Sequence, residues 1–167
     1  MTTSTASTAA LDDAIDDATL ERAWAVLEAV PDPEIPVVSI RELGILRDVR
    51  RTDDGTLEVV ITPTYSGCPA MSQIAEDVAH ALDVAGLTPY RIATVLAPAW
   101  TTDWMTVEAR DKLRAYGIAP PSEPRAVVCP RCAAADVQLV SRFDSTPCKA
   151  LYRCNACREP FDHFKCH

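Results

Sequence analysis

Glycine is scarce in this sequence: five among 167 residues, none of them clustered, so no glycine-rich loop is available to cradle a phosphate. No apolar run approaches the roughly 18–20 residues that a membrane helix needs. Met1 to Ala10 is Thr, Ser and Ala with neither a basic segment nor an apolar stretch, so it does not read as a secretory signal, and a cytoplasmic protein is expected. Cations are outnumbered, 16 against 24 acidic residues, for a net charge of −8. That balance disfavours a nucleic-acid partner, which needs basic surface to displace counterions. A catalytic triad finds no support, because His80 lies inside an expected helix with no partner residues nearby in the pattern, and no catalytic residue is assigned.

What is present reads as a small globular fold followed by something different. Hydrophobic residues make up 48% and charged residues 24%, ordinary for a packed protein. Residues 1–18 are expected to form a flexible tail. A helix beginning at Asp12 or Thr19 and reaching Ala29 carries Leu20, Ala23, Trp24 and Leu27 at helical spacing, with Asp12, Asp13, Asp16 and Asp17 at its dipole-favoured end. Pro31, Pro33 and Pro36 stop it. Strands over Ile45–Arg51 and Thr56–Thr62 flank Asp53-Asp54-Gly55, a hairpin signal, with Leu57, Val59 and Ile61 on one face.

The loop Pro63–Pro69 then opens a second helix over 70–84, with Met71, Ile74, Ala75, Val78 and Leu82 as its buried stripe. A strand over Tyr90–Ala97 and a helix over Thr106–Tyr116 follow, with Thr106 as N-cap and Gly117 at the C′ position. The order α, β, β, α, β, α implies an α/β sandwich in which a small sheet is covered by helices on one face. Residues 19–118 form that domain, and 119–126, with Pro120, Pro121 and Pro124, read as a stiff linker.

Residues 127–167 carry six of the seven cysteines. An odd count without an export signal favours metal or redox thiols over disulfides. Cys129-Pro-Arg-Cys132 and Cys154-Asn-Ala-Cys157 are two C-x2-C knuckles with 21 residues between them. Together they supply four thiolates for a closed tetrahedral site in a ribbon with strands near 137–143, 151–153 and 161–165. Structural zinc is the expected ion. Spacing alone leaves rubredoxin-type iron or an iron–sulfur cluster open. Cys148, Cys166, His163 and His167 remain as candidate secondary ligands or as ordinary packing and surface residues, since their spacing matches no standard ligand set.

In the first domain Cys68 is the lone thiol. Ahead of a helix N-terminus it is expected to have a lowered pKa and thiolate character, which suits soft metals; the alternative is a small buried hydrophobe. Asp32 and Glu34 read either as a carboxylate pair or as acceptors for loop N–H groups. Trp100 and Trp104 read either as an exposed ridge or as packing for the third helix.

Asp32-Pro33-Glu34-Ile35-Pro36, Leu43-Gly44-Ile45, the loop Thr62–Pro69 and Ala97-Pro98-Ala99-Trp100 resemble the SufT-like metal–sulfur cluster assembly domain. The stretch Phe143–Cys154 and the run Glu159–His167 resemble the tail of the PaaD (PaaJ) family, accessory subunits of the phenylacetyl-CoA 1,2-epoxidase system. This resemblance implies a sheet-and-helix sandwich of the cluster-assembly type plus a C-terminal zinc ribbon. It implies an accessory role in aerobic phenylacetate degradation, assisting iron–sulfur cluster or other metal-centre assembly, with the epoxidase reductase as the first candidate client. The epoxidase components and the iron–sulfur assembly machinery are the implied partners. Cys68 takes the position of the assembly domain's functional cysteine, with transient iron or a cluster as cargo. Asp32, Glu34, Thr64 and Gly67 form the loop motif around it. A stable subunit of the oxygenase complex, or a zinc-ribbon module for binding proteins, are the competing readings.

Overall fold

Asp16 caps the first helix by accepting a 2.7 Å hydrogen bond from the Thr19 backbone at its Oδ1, and α1 runs Asp17–Glu28. The computed structural model describes residues 16–166. The tail expected over 1–18 therefore falls, through residue 15, outside the described residues, as does His167. Ala23 and Leu27 of α1 are fully buried and start the larger of two cores.

β1 (Leu46–Arg51) pairs antiparallel with β2 (Leu57–Ile61) through a turn in which Gly55 takes a φ of 79°. α2 (Met71–Val84) carries the chain back, and β3 (Tyr90–Thr94) adds to β2 in parallel, giving the order β1-β2-β3. β3 stops at Thr94 rather than continuing to Ala97. Its partner runs out first: Val95 still donates to the Ile61 carbonyl, but two residues beyond Ile61 the chain reaches Pro63, which has no N–H for a ladder. Leu57, Val59 and Ile61 enter the core, as the alternation implies.

The opposite face of the central strand carries Glu58, 6% exposed. Register sets Arg50 on one side of it and Arg91 on the other, and their guanidinium groups bond its carboxylate at 2.6 and 2.7 Å. Arg91 first, then Arg50, holds the Glu58 carboxyl below its ordinary value. A carboxyl whose folded pKa is depressed stabilises the fold above its unfolded pKa and loses that contribution as pH falls through the folded one. Glu58→Gln is therefore expected to lower stability near pH 7 and to matter much less at about pH 3, as read by urea unfolding at both pH values. A loss that stays constant across that range would show that the carboxylate charge is not what matters.

α3 (Val107–Tyr116) is capped as its sequence implies, with the Thr106 hydroxyl accepting from Ala109 and Gly117 left-handed at φ 98°. The expected linker is altered at its first residue. β4 (Ile118–Ala119) follows α3 at once and pairs in parallel with β7 (Pro160–Phe164), so Ala119 is a buried strand residue. Two hydrophobic residues directly after a helix stop can extend a neighbouring sheet, and β7 has an open edge there. Arg110 also fastens the following prolines, bonding the Pro121 carbonyl at 3.3 Å. The second sheet has the order β4-β7-β6-β5, with β5 at Val137–Ser141 and β6 at Lys149–Cys154.

A small second core of Ala119, Val127, Ala150, Tyr152 and Phe161 lies beside the cysteine knuckles. Phe164 and Cys148 belong instead to the first core, so the ribbon packs onto the sandwich. The Phe164 ring lies 6.1 Å from that of Trp100, whose Nε1 donates to the Leu43 carbonyl at 2.9 Å. Trp100 is thus packing rather than ridge, while Trp104 lies half-buried under the Arg47 guanidinium. The backbone between them admits no side chain at Gly44: with φ at 74°, a Cβ there would lie 2.7 Å from the Trp104 Cβ. Among the described residues no helix is long and apolar enough to cross a membrane.

Candidate functional site

The two knuckles bring Cys129, Cys132, Cys154 and Cys157 together with all four sulfurs within 4.8 Å of one another. The spacings Cys129–Cys157, 3.7 Å, and Cys132–Cys154, 3.6 Å, match the edge of about 3.8 Å in a tetrahedron with metal–sulfur bonds of about 2.3 Å. Local backbone builds this. Ala133 and Arg158, each just after the second cysteine of its pair, take positive φ of 60° and 70°. Each also donates to the carbonyl of the first cysteine of its pair, so both loops curl around the sulfurs. The Cys157 N–H, foremost, pulls the Cys154 thiol down to about 7. The residues present fit a four-thiolate ion and leave it no open position, so the site suits a structural metal.

A second constellation lies where the ribbon meets the sandwich. Asp32, Glu34, Thr64, Cys68 and Cys148 line one narrow cavity, walled on its apolar side by Ile35, Leu43, Ile45 and Phe164. Asp32 is buried, and its Oδ1 accepts from the Glu34 and Ile35 backbones at 3.0 and 2.8 Å. This turn braces the proline-rich loop, so for Asp32 the loop-acceptor reading holds. Glu34 is half-buried. Burial, with Asp32 adding its charge, pushes the Glu34 carboxyl up.

Cys68 is half-buried two residues before the Ala70 cap of α2. Its thiol is not lowered, as a helix N-terminus alone would imply, but raised. Burial is the largest cause, and the Glu34 and Asp32 carboxylates add to it, outweighing the hydrogen bonds from the Ala70 N–H and the Thr64 hydroxyl. Gly67 is exposed in the same loop, and a Cβ there would meet only the Tyr65 ring at 3.7 Å.

The candidate secondary ligands separate. Cys148 is 4% exposed, with its sulfur 3.0 Å from the Thr146 hydroxyl, and burial pushes its thiol up. His163 and Cys166 line a different cavity, of about 520 Å³, on the ribbon. There the His163 Nε2 lies 3.3 Å from the Ser122 hydroxyl and its ring meets Tyr152 edge-on. Among the described residues only the four-cysteine group gathers three or more ligating side chains within ligand distance. His80 is exposed on α2.

Sequence reasoning assigned no role to three residues just outside the cleft lining: Thr146, against the Cys148 sulfur, Tyr65, whose phenol feels the Cys68, Cys148 and Glu34 charges, and Lys149, whose charge acts on Asp32 and Glu34. Lys149 is 7% exposed and bridges Asp162 at 3.0 Å and Asp144 at 3.7 Å. A lysine directly after Cys148 was the one available signal, and it does not announce burial.

The chain matches two family models, one described as "Iron-sulfur cluster assembly protein" over residues 20–91 and one as "PaaD zinc beta ribbon domain" over 116–165. It is 51% identical over 150 residues to an Escherichia coli protein named as a putative subunit of 1,2-phenylacetyl-CoA epoxidase, covering 86% of this chain and 90% of that protein. A Bacillus subtilis Fe–S protein maturation auxiliary factor is 34% identical over 97 residues, 58% of this chain and 94% of its own length. Among solved structures, a DUF59 domain from Bacillus anthracis superposes with a TM-score of 0.52 at 33% identity, covering 57% of this chain and 92% of its own.

Proposed function

Because the chain belongs to the PaaD family of phenylacetyl-CoA epoxidase subunits, we propose that it is an accessory maturation factor of that multicomponent oxygenase system, assisting iron–sulfur cluster assembly in the reductase component. In this reading residues 19–118 are the assembly module and 127–167 the metal-stabilised ribbon. Zinc held by Cys129, Cys132, Cys154 and Cys157 is structural, because a closed four-thiolate shell has no position for chemistry. Iron, alone or in a cluster, is cargo. The observation that carries the proposal is the placement of Cys68, in the segment that matches the assembly family, beside the Asp32 and Glu34 carboxylates and the Thr64 hydroxyl in one cleft. The raised thiol gives a mechanism of exchange: the sulfur is protonated when free, gives up its proton to bind iron, and takes one back on release. Leu139, Val140 and Phe143, all exposed on the ribbon, favour docking to a partner protein.

Cys68→Ser tests this. The change is nearly isosteric, and the fold is expected to survive with a loss of about 1 kcal/mol. Reductase produced in cells alongside the variant is expected to hold about tenfold less iron and sulfide, the scale on which metal sites respond to losing a supporting group. Oxygenase subunit assembly should be unchanged. Full cluster content in that reductase, with epoxidation intact, would return Cys68 to the role of a packing residue.

A further inference from the structure

We infer that the groove on the ribbon's outer face docks an acidic segment of a partner protein, taking one aromatic side chain of that segment onto its apolar floor and the flanking carboxylates onto Arg142 and Lys165 at its mouth. The inference rests on the reading of the chain as an accessory factor that docks to other proteins, and it adds the place and the partner's chemistry.

Sheet register builds the groove. Leu139 of β5 pairs with Tyr152 of β6, and Ala150 of β6 pairs with His163 of β7, so all four side chains share one face. Alternation turns Phe164, the next residue of β7, to the other face and into the larger core, so the groove looks away from the sandwich. Ala150, Tyr152 and His163 are buried and form its floor. Ser122 and Pro124, from the segment after β4, bank one side, and the enclosed space is about 520 Å³. The His163 Nε2 and the Ser122 hydroxyl answer each other at 3.3 Å, and among the described residues no buried side-chain nitrogen or oxygen lacks a partner. The floor therefore offers rings and aliphatic carbon rather than a polar hook.

The mouth selects the occupant. Arg142 and Lys165 stand there, and no residue lining the groove is acidic. Neither cation forms an ion pair among the described residues. Lys165 instead bonds the Arg142 carbonyl at 3.2 Å and lies 4.5 Å over the Phe143 ring. The nearby Asp144 and Asp162 are held by Lys149, and the exposed Glu123 is not part of the lining. Charges act over about 10 Å at 0.1 M salt, so these two cations, rather than the chain's net −8, set the sign that the groove attracts.

An apolar centre with charge at its rim is the layout of a protein interface. A pocket for a small molecule carries orienting polar groups among its apolar walls, and here those groups are spent on each other. Leu139 and Phe143 remain exposed at the groove, and β5 is the outer strand of its sheet, pairing with β6 alone. An extended segment can thus run along that edge while one side chain enters the groove. The Tyr152 and Phe143 rings favour an aromatic one.

The test is isothermal titration calorimetry at about 0.1 M salt, with the zinc-loaded full chain and a synthetic peptide of one phenylalanine between two runs of three aspartates. Saturable binding, one peptide per chain, is expected. Replacing the phenylalanine by alanine, or the aspartates by lysines, is expected to weaken it at least about tenfold. Arg142→Glu and Leu139→Asp, both at exposed positions, are expected to do the same with zinc content unchanged. No binding by the wild type, equal binding of the alanine peptide, or variants that bind like the wild type would overturn the docking groove. Displacement of the peptide by free benzoate would give the groove to a small acid instead. A wild-type dimer that Arg142→Glu turns into a monomer on size exclusion would give it to a second copy. Cys68→Ser is expected to bind the peptide as the wild type does, so a failed groove leaves the cluster assay on Cys68 standing, and a failed cluster assay leaves the groove.

Discussion

Cys154→Ser is expected to strip the metal from the ribbon and to remove amide protection across residues 127–164, while α1, α2 and α3 stay formed. Structural zinc of this type contributes roughly 10–16 kcal/mol of apparent binding energy near neutral pH, far more than the handful of buried side chains in the ribbon's core can supply. The damage does not stop at the ribbon, because Phe164 fills part of the first core against Trp100. Withdrawing a buried phenylalanine forfeits about 1.5–3 kcal/mol of burial. At several degrees per kcal/mol in a domain of this size, the sandwich is expected to melt roughly 10–20 °C lower. Hydrogen exchange followed by mass spectrometry, with zinc counted per chain, reads both effects. A ribbon that kept native protection without metal would show that its strands hold themselves together.

Phe164→Ala is expected to separate the modules while leaving each folded. Large-to-small changes of a fully buried phenylalanine cost about 3–5 kcal/mol, and Phe164 is 1% exposed. The ribbon's own core uses Phe161 and Tyr152 from the same strand pair, so its metal content should not change. Urea unfolding followed by tryptophan fluorescence is well placed to see the event, because Trp100 is the ring that loses its neighbour. A cost below about 1 kcal/mol would mean that the two modules hardly depend on this contact.

The local elements were legible because local rules govern them. The Asp-Gly turn, the Thr106 cap, the Gly117 stop and the two C-x2-C knuckles are each decided by residues within a few positions of one another. What escaped the sequence depends on where distant pieces meet. Ala119 read as linker because nothing beside it shows that β7 will offer an edge. Phe164 could have faced the ribbon or the sandwich, since a five-residue strand carries both options in its alternation, and Cys148, just ahead of β6, lies in no strand whose alternation would place it. The direction of the Cys68 pKa shift depended on the same tertiary fact. The helix N-terminus is visible in sequence, whereas burial and the approach of Glu34 and Asp32 are not.

The pairing of β4 with β7 has a consequence for the order in which the molecule comes together. Ile118 finds its partner, Asp162, roughly forty residues later, and the segment between them is the whole cysteine module in place of the usual crossover helix. Closing so long a loop is entropically costly until something shortens it. Joining Cys129 and Cys132 to Cys154 and Cys157 through one ion does so, leaving only short stretches to be arranged on either side. The sandwich made ahead of the tail is therefore expected to stay incomplete, because Ile118, Cys148 and Phe164 of its core arrive with the later residues. Metal capture by the tail is then expected to come before the modules meet: until the four cysteines are joined, little holds Cys148 and Phe164 against the larger core.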